Sequence, residues 1–129
     1  MPAKAGLIAL VALGLAACTP DETVTAYGGA GTWALTEIAG EEASGTLTLG
    51  PDGAVTGVGP CNRFTARQTA PYPWFELTPL AITKIACPDL EAEQRYVQAL
   101  SDAAVAEVSG DTLLLSTDTG LELVFRRQP

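Results

Sequence analysis

The placement of three cysteines constrains the fold of this chain more than any other feature of its sequence. Cys18 closes the run Leu15-Ala16-Ala17 directly after a short apolar stretch, and Cys61 and Cys87 lie in two later segments. Cys18 fits a lipid attachment point, which leaves an even pair of cysteines in an exported domain. In an oxidising compartment, an even pair predicts one disulfide.

The pair formed by Cys61 and Cys87 allows a structural and a redox interpretation. As a structural disulfide it closes a loop of about 26 residues, which stabilises a fold by roughly 3–4 kcal/mol in the chain-entropy model. That is a large share of the roughly 5–10 kcal/mol that a small domain has in total. A redox pair would need a Cys-x-x-Cys spacing or a nearby base that lowers the pKa of a thiol. Since the sequence shows neither, it favours the structural disulfide.

The first residues have the three parts of an export signal. Residues 1–4 carry a positive charge, and residues 5–15 are apolar but too short to span a hydrocarbon core of ~30 Å as a helix. Ala16, Ala17 and Cys18 then resemble the bacterial lipobox, which implies cleavage before Cys18 and a diacylglyceryl thioether on its sulfur. Two or three acyl chains anchor a protein stably. We therefore predict a leader over 1–17 and membrane attachment through Cys18.

The residues after Cys18 indicate a location and a tether. Thr19 stands where Asp is the usual signal for retention in the inner membrane. We therefore expect the outer membrane of a bacterial envelope, with the domain facing the periplasm. Residues 18–31 are rich in Thr and Gly and lack periodicity, which predicts a flexible tether before a folded domain over 32–127.

Short stretches in which apolar and polar residues alternate predict an antiparallel sheet. Leu47 and Leu49 alternate with threonines, and the following Gly-Pro-Asp-Gly at 50–53 supplies the residues of a hairpin turn. Gly57 in the returning strand indicates a bulge or the close approach of another segment. Leu121, Leu123 and Phe125 are predicted to face inward. The predicted strands are 33–38, 46–49, 54–58, 64–69, 74–78, 104–108, 112–116 and 121–126.

One helix is predicted from Pro88 to about Ala103. Proline suits the first helical position, and acidic residues near the start favour the helix dipole. Glu91 is expected to pair with Arg95, four positions on. The residues predicted to form the apolar face are Leu90, Val97, Leu100 and Ala104.

Composition and charge exclude several classes of function. The chain has 15 acidic against 7 basic residues, which argues against nucleic acid because a binder needs a basic surface to displace counterions. It has no histidine, and Cys61 and Cys87 alone do not complete a zinc site. We therefore expect no metal and no cofactor.

The carboxylates offer no evident catalytic pair. Glu41 and Glu42 are adjacent, and adjacent strand residues point to opposite faces. A carboxylate-dependent hydrolase would require a pair that the fold alone brings together. We therefore expect no enzyme, with such a hydrolase as the remote alternative.

Tyr72, Trp74 and Phe75 lie around two prolines and form the candidate contact site. Alternation places Trp74 and Phe75 on opposite faces, so one is expected in the core and the other nearer the surface. An exposed aromatic side chain beside a rigid loop is a candidate contact for an envelope protein or an amphiphile. Ordinary packing in the core or at its rim is the alternative.

Several spaced motifs resemble the META domain family, which includes heat-shock-inducible lipoproteins of the bacterial envelope. The first are Gly45-Thr46-Leu47-Thr48-Leu49 and Gly57-x-Gly59-x-Cys61-Asn62-x-Phe64. The later ones are Leu80-x-x-Thr83-x-x-Ala86-Cys87 and Leu121-x-Leu123-x-Phe125-Arg126. The resemblance covers 31–127.

The resemblance implies an α+β fold, in which an antiparallel half-barrel-like meander curls around a single helix with no known catalytic site. Family members are associated with envelope stress, resistance to a hydrophobic antibiotic, and secretion or motility. We therefore expect a non-enzymatic envelope lipoprotein that acts by binding a partner, or else a passive structural lipoprotein. Asn62 and Thr83 belong to the motifs and are expected to bond to the backbone and fix a turn.

Overall fold

The structure, a computed structural model, describes residues 6, 8, 9, 20–78 and 80–129. Most of the predicted leader, together with Cys18 and Thr19, lies outside the described residues. Within the described part of the chain, no helix is both long and apolar enough to cross a membrane.

One antiparallel sheet and one α-helix make up the domain. The elements are β1 (Gly31–Ile38), β2 (Glu41–Glu42), β3 (Thr46–Leu49), β4 (Ala54–Val58), β5 (Arg63–Arg67), β6 (Ala81–Ile82), α1 (Leu90–Asp102), β7 (Ala103–Ser109), β8 (Thr112–Thr117) and β9 (Glu122–Arg127). The strands follow the spatial order β6-β5-β4-β3-β1-β9-β8-β7, and β2 pairs with β1 beside this path. The sheet curls as a half-barrel around the helix, so the predicted α+β fold is confirmed.

The pairing register gives the sheet two distinct ends. Gly31 pairs with Leu49, so the start of β1 lies beside the β3–β4 turn, and the β7–β8 turn is at the same end. We call this the entry end, because the N-terminal segment joins the sheet there. At the opposite end, Ile38 pairs with Leu123 next to the β8–β9 turn. We call it the helix end, because α1 lies against it.

The core lies on the concave face of the sheet. Leu47, Leu49, Leu123 and Phe125 are buried, as their alternation predicts. The helix contributes Tyr96, whose ring packs edge-on to Phe64 and whose hydroxyl donates to the carbonyl of Thr46 at 2.8 Å. Burial of this side chain raises the pKa of Tyr96 above its usual range.

Gly57 permits a close approach, which was one of its two predicted roles. It lies opposite Phe64 in the β4–β5 ladder, and the Phe64 ring covers it. A Cβ atom at position 57 would lie 2.6 Å from the carbonyl oxygen of Thr46. Any side chain here would displace the ring that fills the core.

The N-terminal segment packs against the domain from Val24 onward, which corrects the predicted tether over 18–31. Residues Val24–Tyr27 form a 3-10 turn, and Val24 is fully buried. The indole N–H of Trp33 donates to the carbonyl of Gly29 at 2.8 Å. The buried Val24 side chain and this hydrogen bond fix residues 24–31 to the domain, although their composition resembles that of a linker.

Residues 74–78 do not form the predicted strand. Trp74 and Leu77 make only isolated bridges, to Val105 and Gln68 respectively. Pro71 and Pro73, directly before the segment, lack backbone N–H groups, so a ladder cannot continue from residue 74 towards Gln68. The segment covers the free edge of β7 instead, through a hydrogen bond from Phe75 N–H to the Ala104 carbonyl (2.9 Å).

The helix begins at Leu90, two residues later than predicted, and it buries a different face. Its buried residues are Glu93, Tyr96, Ala99 and Leu100, so the predicted apolar face is correct only at Leu100. Leu90 is exposed, Val97 is half-buried, and Ala104 belongs to β7. Arg95 pairs with Glu41 at 2.9 Å rather than with Glu91.

Candidate functional site

Cys61 and Cys87 form a disulfide, as predicted. Their Cα atoms are 5.8 Å apart, and the bond joins the β4–β5 turn to the segment that precedes α1. Segment 82–86, which leads from β6 towards Cys87, is thereby fixed beside the helix. We call it the rim segment.

A buried carboxylate organises the turn that contains Cys61. Glu93 on α1 is only 2 % exposed. Its Oε1 accepts the backbone N–H groups of Cys61 (3.1 Å) and Asn62 (2.5 Å), and its Oε2 accepts the side-chain amide of Asn62 (2.6 Å). A Cβ atom at Gly59 would lie 2.6 Å from Glu93 Oε1, which explains why this position of the motif is glycine. Three charge-assisted hydrogen bonds compensate for the burial of the charge.

Asn62 connects Glu93 to the rim segment. Its Oδ1 accepts the backbone N–H of Ile85 (2.6 Å) and the hydroxyl of Thr83 (2.8 Å), and its Nδ2 donates to the Ile85 carbonyl (3.1 Å). Asn62 thus bonds to the backbone as expected, and so does Thr83, whose hydroxyl oxygen accepts the backbone N–H of Arg63 at 3.1 Å. Sequence reasoning missed Glu93, since an acidic residue in the first turn of a helix is most often solvated.

An open groove of about 950 Å³ lies at the helix end. Its walls are α1, the rim segment, the ends of β1 and β8, and the β8–β9 turn. Ile85 and Leu90 are 63 % and 37 % exposed, and both line this groove. Three half-buried apolar side chains extend the same surface: Ile82, Val97 and Leu121.

The network around Glu93 builds this groove. Asn62 and Glu93 both belong to its lining, but their polar atoms are used in the hydrogen bonds that fix the rim segment. The network thus holds Ile85 opposite α1 without adding free polar groups to the floor. The result is an apolar surface that remains open to solvent.

Charge is distributed unevenly between the two ends of the sheet. At the entry end, the acidic Asp21, Glu22, Asp52 and Asp111 nearly balance the basic Arg67, Arg126 and Arg127. Glu76 and Glu107 are assigned to neither end. At the helix end, the only basic residues are Arg63, Lys84 and Arg95 among the described positions. The acidic residues there are Glu37, Glu41, Glu42, Asp89, Glu91, Glu93, Asp102, Asp118 and Glu122. The groove therefore lies at the acidic end of the molecule.

The predicted aromatic contact residues lie outside the lining of this groove. Phe75 is 2 % exposed and Trp74 is 58 % exposed. Tyr72 is half-buried and stacks on Tyr27, with ring centroids 4.7 Å apart. Trp74 thus presents an aromatic surface of its own, separate from the groove.

The fold places two glutamates on adjacent strands opposite each other, a pairing that the sequence did not indicate. Glu37 on β1 lies directly opposite Glu42 on β2, and both side chains are exposed. Neither belongs to the lining of the groove. Among residues 20–78 and 80–129, no group of three or more His, Cys, Asp or Glu side chains is arranged to hold a metal ion.

The curled antiparallel sheet with a single packed helix defines a class of small α+β half-barrel proteins. A family model for the META domain matches residues 24–129. This chain therefore belongs to the META domain family, in agreement with the motif resemblance.

Solved structures share the fold at low sequence identity. A protein from Burkholderia xenovorans, solved by NMR, is 23 % identical with a TM-score of 0.67, and the match covers 87 % of this chain and 93 % of that one. A duf4847 family protein from Bacteroides vulgatus is 14 % identical with a TM-score of 0.65, covering 81 % and 97 % respectively. Another protein solved by NMR is 18 % identical, with a TM-score of 0.62 over 76 % and 89 %. No curated protein matches this chain.

Proposed function

We propose that this protein is a non-enzymatic, lipid-anchored binding protein of the bacterial envelope and that its groove binds an amphiphile. The observation that carries the proposal is the groove, which leaves Ile85 and Leu90 exposed to water beside other apolar side chains. An aliphatic chain that covers these residues removes apolar surface from water on both partners. Capture of amphiphiles contributes to envelope integrity and to stress or antibiotic tolerance.

Attachment to the outer membrane through Cys18 is the second part of the proposal. Its support is the run Leu15-Ala16-Ala17-Cys18 after an apolar stretch. The Cys18→Ala variant is expected to leave the membrane fraction, because it lacks the sulfur that carries the diacylglyceryl group. Fractionation of cell envelopes with detection of a C-terminal tag measures this. A variant that remains in the membrane at the wild-type level would contradict lipid attachment.

Binding is tested with the chain from residue 20 onward and dodecyl maltoside below its micellar concentration, by titration calorimetry. The variant Ile85→Thr/Leu90→Gln replaces two exposed apolar side chains of the groove with polar ones. We expect it to bind about tenfold more weakly, because less apolar area is covered.

Two further variants locate the binding surface. Val58→Thr is the matched control, since Val58 is 47 % exposed at the same end and lies outside the groove lining. Trp74→Ala tests the exposed aromatic surface, the second candidate for a contact site. A loss of binding in Trp74→Ala alone would move the site there. An absence of binding in the unsubstituted chain would favour a passive structural lipoprotein.

A further inference from the structure

We infer that the occupant of the groove is a cationic amphiphile, with one aliphatic tail and a positively charged head. The inference rests on the proposed function and adds the charge of the head group and the side from which the ligand arrives. The apolar floor accounts for the tail. The charges around the groove account for the positive head group. The distance between the groove and the anchor accounts for the side from which the ligand arrives.

The groove carries its own carboxylates. Glu91 and Asp102, near the two ends of α1, both line it and are exposed. Lys84 and Arg95 line it too, but Arg95 is bonded to Glu41 at 2.9 Å. With the other acidic residues of the helix end, the surroundings of the groove are negative. A concave surface with low-dielectric walls concentrates such a field, which attracts a cationic head and repels an anionic one.

The geometry of the anchor separates the groove from the bilayer. Cys18 precedes the buried Val24, and the five residues between them span at most roughly 20 Å. Val24 lies at the entry end, where Gly29 and Ala30 lead into β1. The eight residues of β1 then extend for about 25 Å towards the helix end. The groove therefore faces the aqueous compartment, and its ligand is a dissolved amphiphile rather than a lipid of the anchoring membrane.

The test compares three probes that share a dodecyl tail: dodecyltrimethylammonium, dodecyl maltoside and dodecyl sulfate. The chain from residue 20 onward is suitable, because every buried core residue of the described chain lies between Val24 and Phe125. Each probe is titrated below its micellar concentration, with near-UV circular dichroism to verify that the protein stays folded. We expect the cationic probe to bind about tenfold more tightly than the anionic one at low salt.

A pair of charge variants shows whether the preference is local. Glu91→Gln/Asp102→Asn neutralises the two exposed carboxylates of the groove, and we expect it to lower the affinity for dodecyltrimethylammonium about fivefold. Glu76→Gln/Glu107→Gln removes the same net charge from exposed positions outside the groove, and we expect an affinity near that of the unsubstituted chain.

The outcomes separate this inference from the proposed function. Equal affinities for the cationic and anionic probes, together with binding of dodecyl maltoside, would overturn the charge preference and leave the binding function intact. Equal losses in the two charge variants would show an effect of net charge and would also overturn it. If none of the three probes binds, both the inference and the binding function are wrong.

Discussion

Glu93 explains why the motif at positions 59–62 contains glycine and asparagine. The glycine, cysteine and asparagine at positions 59, 61 and 62 lie around its carboxylate: Gly59 leaves room for it, and Cys61 and Asn62 donate hydrogen bonds to it. The side-chain amide of Asn62 also forms hydrogen bonds with the backbone N–H and carbonyl groups of Ile85. The residues of the motif therefore form a buried polar network.

The variant Glu93→Gln tests this network. Glutamine has the same shape, but its NH2 group would face the Nδ2 donor of Asn62 or the two backbone donors. Asn62 cannot flip to compensate, since its Oδ1 already accepts from Ile85 and Thr83. We expect a loss of about 2–3 kcal/mol in the free energy of unfolding, measured with denaturant.

The control for Glu93→Gln is Glu91→Gln on the same helix. Glu91 is exposed, so its neutralisation is expected to cost only about 0.5 kcal/mol through the helix dipole. Equal effects of the two substitutions would mean that the hydrogen bonds of Glu93 contribute no more than an exposed charge.

Several residue-level features could be predicted from the sequence, and one could not. The pairing of Cys61 with Cys87 follows from cysteine count and compartment, and the role of Asn62 follows from the side chain's capacity to bond to the backbone. The burial of Glu93 could not be predicted, because its partners come from a turn about 30 positions earlier in the chain. Helical periodicity alone carries no information on such a partner.

At the scale of elements, the predictions succeed where local chemistry decides the structure. The hairpin of β3 and β4 has the predicted bounds, because alternating residues flank a turn whose sequence requires it. β1 and β5 differ from the prediction by one or two residues at their ends. Each of these strands needs one buried face and an adjacent strand to pair with. The alternation of apolar and polar residues indicates the buried face, and the next predicted strand supplies the partner.

The predictions fail where a distant partner decides the structure. The segment at 74–78 has the alternation of a strand, but it follows Pro71 and Pro73 and makes only isolated bridges with Gln68 and Val105. The N-terminal residues 24–31 have the composition of a tether, but the core offers a site for Val24. Leu90 and Val97 have the spacing of a core face, but they line the groove. The proposed binding site therefore contains two apolar residues that helical spacing assigned to the core.

At the scale of the whole molecule, the N-terminal segment and the groove lie at opposite ends of the fold. The N-terminal segment joins the sheet at the entry end, and the groove and most of the acidic side chains lie at the opposite end. Under the proposed lipid attachment, Cys18 holds the protein by the entry end, and the groove faces the compartment at the other end. The groove is at the helix end because α1 and the disulfide-linked rim segment both pack there.

The most direct test of this account is an NMR titration of the isotope-labelled chain from residue 20 onward with dodecyl maltoside. We expect the amide signals of Ile85, Leu90, Val97 and Leu121 to shift together and saturate, while those of Trp74 and Tyr27 stay in place. Shifts centred on Trp74 and Tyr27, or no saturable shift at the groove, would contradict the claim that this groove is the binding site.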